Sequence, residues 1–208
     1  MGKININCAR VGMIGTNCYL VYDENVKEAV IIDPGDNAQF LAGSMDNMGL
    51  KPVAIFLTHA HFDHIGGVPE LREKYNLPIY INKLDVDMLA KPALNMGTTS
   101  VVLGENDVQL EGGENITVGG MEFQVIATPG HTPGGTCFYM ASENVLFAGD
   151  TMFRFSWGRT DFPGGSEKAL MESIRTKLLP LPEETVVYPG HEGATSIKNE
   201  RITHDYQA

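Results

Sequence analysis

The sequence predicts an α/β (α+β) chain in which two mixed β-sheets pack face to face beneath outer helices. Three observations carry this expectation. A strand–helix–strand order runs twice along the chain. Long β-rich stretches accompany each run. No low-complexity segment or linker divides residues 1–208, so a single domain is expected.

The elements follow in order. Residues 16–22 and 28–32 read as a hairpin around Asp23-Glu24-Asn25. Asp33-Pro34-Gly35-Asp36 reads as a turn. A helix over about 38–48 comes next, then the apolar strand Val53-Ala54-Ile55-Phe56-Leu57. Residues 66–75 read as a helix with Val68, Leu71 and Tyr75 on one face. Pro78-Ile79-Tyr80-Ile81 is a strand, and residues 83–94 a short helix. Strands dominate from 101 to 148, broken by turns at Glu111-Gly112-Gly113 and Gly119-Gly120. Ser166 is placed to cap a helix through Leu178, with Leu170, Ile174 and Leu178 as its i, i+4, i+8 stripe. Pro180-Leu181-Pro182 stops it.

One string carries the chemistry: His59-Ala60-His61-Phe62-Asp63-His64. It packs three imidazoles and a carboxylate into six residues, donors that suit zinc, iron and manganese. Composition alone would place H-x-H-x-D-H in roughly 2 of ten thousand such chains, so the pattern is specific. The other candidates share one location, just past the end of an apolar strand. His131 follows Phe123-Gln124-Val125-Ile126-Ala127 inside Thr128-Pro129-Gly130-His131-Thr132-Pro133-Gly134. His191 follows Thr185-Val186-Val187-Tyr188, and Asp150 ends Val145-Leu146-Phe147-Ala148-Gly149-Asp150. Ligands placed that way gather at one edge of a packed sheet. His204 lacks such a context and is expected at the surface.

Composition bounds the function classes. Hydrophobic residues make up 43% and charged residues 20%, ordinary for a globular enzyme. No apolar run approaches the ~20 residues of a bilayer span, and the start shows no signal-peptide core. The formal net charge of −11 argues against a nucleic-acid partner, which needs a basic surface. Cys8, Cys18 and Cys137, an odd number in separate apolar contexts, read as buried reduced thiols and hence as cytoplasmic. The sequence leaves the oligomeric state open.

H-x-H-x-D-H, then Gly130-His131, Gly149-Asp150 and Gly190-His191, resembles the metallo-β-lactamase superfamily over nearly the whole chain, from Asn17-Cys18-Tyr19 to His191. The resemblance implies a four-layer αβ/βα sandwich with a dinuclear metal site at one edge. It implies that His59, His61 and His131 hold one divalent ion, that Asp63, His64 and His191 hold the other, and that Asp150 bridges them. Zinc is the expected metal, with iron or manganese as alternatives. The motif form is closer to glyoxalase II (hydroxyacylglutathione hydrolase) than to class B β-lactamases, which lack the last His and use a Cys. Ala148-Gly149-Asp150-Thr151 and Gly158-Arg159-Thr160-Asp161-Phe162-Pro163-Gly164-Gly165 further resemble its short, single-domain bacterial branch. Two-domain glyoxalase II enzymes carry a C-terminal helical domain that grips glutathione. The sequence ends about 17 residues after His191, so no such domain is expected.

The resemblance implies thioester hydrolysis, with S-lactoylglutathione the model substrate. Metal ions can lower the pKa of bound water from about 15.7 to about 7, so a metal-bridging hydroxide becomes the expected nucleophile, oriented by Asp63 and Asp150. A thiolate then leaves without a placed general acid, because a cysteine-type thiol has a pKa of about 8.5. Arg154, Trp157 and Arg159 follow the bridging Asp as candidate substrate contacts. Arg159 either holds a substrate carboxylate or pairs with Asp161, and Trp157 either walls the pocket or anchors packing. The alternative on the same fold is a mononuclear-iron persulfide dioxygenase. An RNA-processing nuclease fits poorly with the acidic balance, and a non-catalytic metal scaffold would leave an open, Gly-lined site unexplained.

Overall fold

The computed structural model describes residues 2–205, with side chains through Ile202. Six strands form the first sheet in chain order: β1 (Ile4–Val11), β2 (Thr16–Asp23), β3 (Glu28–Ile32), β4 (Lys51–Phe56), β5 (Ile79–Asn82) and β6 (Val108–Leu110). β1 to β3 pair antiparallel and β3 to β6 parallel. Parallel neighbours need crossovers, and helices supply them. α1 (Ala38–Met48) joins β3 to β4. The short α2 (Phe62–Ile65) and α3 (Val68–Tyr75) join β4 to β5. α4 (Val86–Ala90) and α5 (Pro92–Asn95) stand before β6.

The second sheet runs β7 (Asn115–Val118), β8 (Met121–Ala127), β9 (Thr136–Met140), β10 (Val145–Gly149), followed by two strands from the end of the chain. A small hairpin, β11 (Met152–Phe153) and β12 (Ser156–Trp157), leaves β10 and leads to α6 (Glu167–Ser173). β13 (Val186–Pro189) then pairs parallel with β10, and β14 (Thr195–Ser196) pairs with β13 before α7 (Ile197–Asp205). Because β8, β9 and β10 alternate in direction, β8, β10 and β13 all end at the same edge.

Apolar faces explain the layering. Between the sheets, Phe56 of β4 meets Phe123 of β8 at a ring-centroid distance of 5.1 Å and Phe138 of β9 at 4.7 Å. Val21, Val30, Ile32, Met121, Val125 and Phe147 complete this inner core. On the outer side of the first sheet, α1 buries Ala38, Leu41, Ala42 and Met45 at helical spacing. Outside the second sheet, Leu170, Ile174 and Leu178 pack on Leu146, Ala148 and Val187. The expected four-layer sandwich of two mixed sheets is the observed architecture.

Local differences have local causes. The helix expected over residues 83–94 breaks into a 3₁₀ turn (Lys83–Asp85), α4 and α5. Pro92 has no N–H to continue α4, and Lys91 before it is extended. Ser166 does cap α6, accepting from the Ala169 amide at 3.3 Å, but the helix widens into a π turn over Ile174–Leu178. β1 is not among the strands expected from the sequence, although Ile4, Ile6 and Cys8 alternate with polar residues at strand period. Cys8 corrects the expectation of three buried thiols: it is exposed on β1, a strand paired on one side only, whereas Cys18 and Cys137 are buried. No helix among the described residues is long and apolar enough to cross a membrane. His204 lies outside the residues whose side chains are described.

Phe56 is the keystone of the inner core. Phe56→Ala should lower unfolding free energy by about 3–5 kcal/mol through lost burial and a residual cavity, read from urea unfolding.

Candidate metal centre

The edge where β4, β8, β10 and β13 all end holds every residue picked out as a ligand from the sequence. β4 runs out through Leu57 and Thr58 into His59 and His61, and His61 then caps α2 with extended backbone. One helical turn places Asp63 and His64 beside them. His131 follows β8, Asp150 follows β10, and His191 follows β13. Two backbone bonds stitch the sheets together here, Thr136 N–H to Thr58 O at 2.9 Å and Asn17 N–H to Gly190 O at 2.7 Å. Gly190 is required by the close approach: a Cβ there would strike Asp150 Oδ1 and lie 2.8 Å from His64 Cε1.

Three groups of donor atoms converge, each within 4.8 Å: His59, His61 and His131; His59, His64 and Asp150; Asp63, His64 and His191. His61 Nδ1 and His131 Nε2 are 2.8 Å apart. Asp63 Oδ2 is 3.3 Å from His64 Nε2 and 3.2 Å from His191 Nε2. Asp150 lies between the groups: Oδ1 is 3.4 Å from His64 Nε2, and Oδ2 is 3.5 Å from His131 Nε2 and 3.6 Å from His191 Nε2. The Nε2 atoms of His59 and His64 and Oδ1 of Asp150 are buried without a hydrogen-bond partner. An unsatisfied buried polar atom costs about 1–3 kcal/mol, and a shared cation removes that cost. The donor set and these orphaned atoms fit divalent metal ions.

Outer hydrogen bonds aim the ligands. Asp33 accepts from the Thr58 amide at 2.8 Å, from the Thr58 hydroxyl at 2.6 Å and from His64 Nδ1–H at 2.9 Å. In neutral His64 that last bond puts the lone pair on Nε2, facing the cluster. His131 Nδ1–H donates to the Arg159 carbonyl at 2.6 Å, with the same effect on its Nε2. The Thr16 hydroxyl donates to Asp63 Oδ2 at 2.7 Å. Asp85, fully buried, ties two ligand loops together: it accepts from the Ala60 amide at 3.3 Å, the Thr132 hydroxyl at 2.7 Å and the Gly134 amide at 2.6 Å. Burial raises the Asp85 pKa, against the pull of those three hydrogen bonds.

Electrostatics divide the cluster in two. Burial, then repulsion by its imidazole neighbours, holds His59 well below the usual histidine range and pushes His61 down to about 4. Burial would also lower His64 and His191, but Asp63, Asp33 and Asp150 outweigh it at His64, and Asp63 and Asp150 do so at His191, raising both. The reciprocal effect lowers both carboxylates: burial opposes it, while His64 and hydrogen bonds from His191 and Thr16 prevail at Asp63, and His64 prevails at Asp150. One side of the cluster is therefore neutral imidazole, and the other is carboxylate calling for positive charge.

A cavity of about 290 Å³ opens on the cluster, walled by Ile14, Phe62, Met96, Phe153 and Phe162 beside the ligands and Arg159. Of the three substrate-contact candidates only Arg159 lines it. Its guanidinium makes a two-pronged pair with Asp161 at 2.9 and 2.7 Å and lies 4.3 Å from the Phe162 ring centre. Arg154 is exposed over the Phe155 ring, outside the cavity lining. Trp157 packs against the core beneath α6, also outside that lining. The sequence missed Asp33, Thr58, Asp85 and Thr16. Asp33 carried a signal, since Ile32-Asp33 repeats the strand-then-carboxylate pattern of Asp150.

A sandwich with a His/Asp metal-binding cluster at one sheet edge defines a class of metal-dependent hydrolases. The chain belongs to the metallo-beta-lactamase superfamily, whose family model matches residues 11–191. It is 34% identical over 209 residues to the hydroxyacylglutathione hydrolase GloC of Haemophilus influenzae, covering 98% of each chain. Among solved structures it is similar to the BLEG-1 B3 metallo-beta-lactamase, with a TM-score of 0.91 and 40% identity over 97% of this chain and 99% of that one. It is also similar to TTHA1623 in a di-iron-bound form, with a TM-score of 0.84 and 38% identity over 96% and 99% of the two chains.

Two outcomes follow from this geometry. Asp33→Asn presents an amide donor to His64, traps its proton on Nε2, and should weaken zinc binding about 10- to 100-fold in a competitive chelator titration, with the circular dichroism spectrum unchanged. Zinc affinity should also fall as pH drops below neutrality. His64 and His191, raised by their carboxylate neighbours, hold protons that the metal must displace, so the loss sets in at a higher pH than for unperturbed histidine.

Proposed function

We propose that the protein hydrolyses acyl thioesters, with two divalent ions bound by His59, His61, His131 and by Asp63, His64, His191, and with Asp150 shared between them. Zinc is the proposed metal, and the di-iron form of a similar structure makes iron the first alternative. Such ions supply hydroxide near neutral pH and Lewis-acid stabilisation of a developing oxyanion. The chain's own side chains do the rest. Asp63, fixed by the Thr16 hydroxyl, and Asp150, at the centre of the cluster, offer acceptor oxygens that orient a nucleophile's proton. Ile14, Phe62, Phe153 and Phe162 give the reacting group an apolar wall.

The observation that carries the thioester reading is the cavity lining. Its titratable side chains are the cluster residues His61, Asp63, His131, Asp150 and His191, and Arg159. A general acid for a poor leaving group is therefore missing among the described lining residues, and a thiolate is the leaving group that needs none. The GloC relative, named for cleaving such a bond, supports this reading. β-Lactam hydrolysis is the second reading, favoured by the 40% identity to a B3 metallo-beta-lactamase. It ranks lower because an expelled amide nitrogen needs a proton. The small-molecule substrate, a cytoplasmic setting and the absence of a nucleic-acid partner are parts of the same proposal.

Purified enzyme loaded with zinc should cleave S-lactoylglutathione and simple acyl thioesters, followed at the thioester absorbance. Asp150→Ala should lower kcat/KM by at least about 10³-fold, or ~4 kcal/mol of transition-state stabilisation. Silence on every thioester alongside turnover of a chromogenic cephalosporin would select the second reading. Oxygen uptake with glutathione persulfide on an iron-loaded sample would select a dioxygenase.

A further inference from the structure

The catalytic cavity continues into a groove of about 450 Å³. Gly12, Met13 and Ile14 of the β1–β2 turn form one wall, Met96 to Thr99 the other, and Phe62 and Asp63 lie between. The two spaces share Ile14, Phe62, Asp63 and Met96, so a molecule held at the cluster can extend along the groove. Met13, Ile14, Phe62 and Met96 are all exposed large apolar side chains, and they sit together. Such concentration at the mouth of a site marks a binding surface.

Met96 is held there against its backbone preference. Its φ is 66°, in the left-handed region that Gly and Asn occupy more easily. The loop beneath it is rigidly built. Buried Asn95 donates to the Met88 and Thr99 carbonyls at 3.2 and 2.8 Å and accepts from the Gly97 amide at 3.0 Å. Gly97 packs so closely that a Cβ there would collide with the Phe62 Cβ. The loop thus presents a long thioether chain at the junction of cavity and groove.

Charge narrows what fits. The charged side chains lining the two spaces, the imidazoles aside, are Asp36, Asp63, Asp150 and Arg159. The Arg159 fork is engaged by Asp161. A glutathione arm lying along the groove would bring its carboxylates toward Asp36, the lining carboxylate that is not a metal ligand.

We infer that the groove takes an uncharged, chain-like apolar arm of the substrate, and that Met96 and Phe62 set the preference for it. This deepens the thioester reading and rests on it. The arm could be the acyl chain or the thiol, and two substrate series separate them: acetyl-to-hexanoyl thioesters of N-acetylcysteamine, and acetyl thioesters of ethane- to hexanethiol. In one series kcat/KM should rise about two- to fourfold per added methylene. Met96→Asn, whose backbone suits the left-handed conformation, should flatten that slope, with zinc content and melting temperature showing that the fold is retained. Flat slopes in both series, or S-lactoylglutathione preferred over hexanoyl thioesters with Arg159→Ala abolishing that preference, would overturn the inference and leave thioester hydrolysis standing. No cleavage of any thioester would overturn both.

Discussion

Asp33 gathers the Thr58 amide, the Thr58 hydroxyl and the His64 ring onto one buried carboxylate. The rest of the site hangs on that convergence. It fixes how the chain leaves β4, so His59 and His61 start from a defined backbone, and it sets which nitrogen of His64 faces the cluster. Asp85 does the equivalent for the loop after β8, joining Ala60 to Thr132 and Gly134. Neither carboxylate lines the cavity, yet each converts a flexible turn into a positioned donor.

The fold makes such convergence possible at low cost. A turn that follows a strand inherits the strand's position, and β8, β10 and β13 all end at one edge. The inner aromatic core, centred on Phe56, locks the first sheet against the second, so His59 and His131 keep their spacing although they come from different sheets. What the strands bring together is electrostatically unbalanced: neutral imidazoles on one side, two carboxylates with raised histidines on the other. Divalent cations would stabilise the second half and accept lone pairs from the first.

Much of this was legible in the residue order. His59, His61, Asp63 and His64 are adjacent, and His131, Asp150 and His191 each stand at a strand end marked by Gly, so local patterns sufficed to find them. The supporting shell was less visible. Asp33 looks like an ordinary turn residue, Thr58 like a polar spacer, and Asp85 like part of a helix that Pro92 and the 3₁₀ turn actually break up. Their roles come from residues 25 to 49 positions away, which only the folded sheets bring near. The apolar groove was invisible for the same reason, being assembled from the β1–β2 turn, α2 and the loop after α5. Residue order alone leaves Arg159 between two roles, and the structure pairs it with Asp161.

Metal stoichiometry is the most direct test, because the bonds that aim His64, His131 and Asp63 serve a proposed pair of ions. Elemental analysis of protein loaded separately with zinc, iron or manganese, then freed of loose metal, gives that number. Two equivalents per chain are predicted for at least one metal, falling to one or none in Asp150→Ala. A ceiling of one equivalent with all three metals, unchanged by Asp150→Ala, would contradict it.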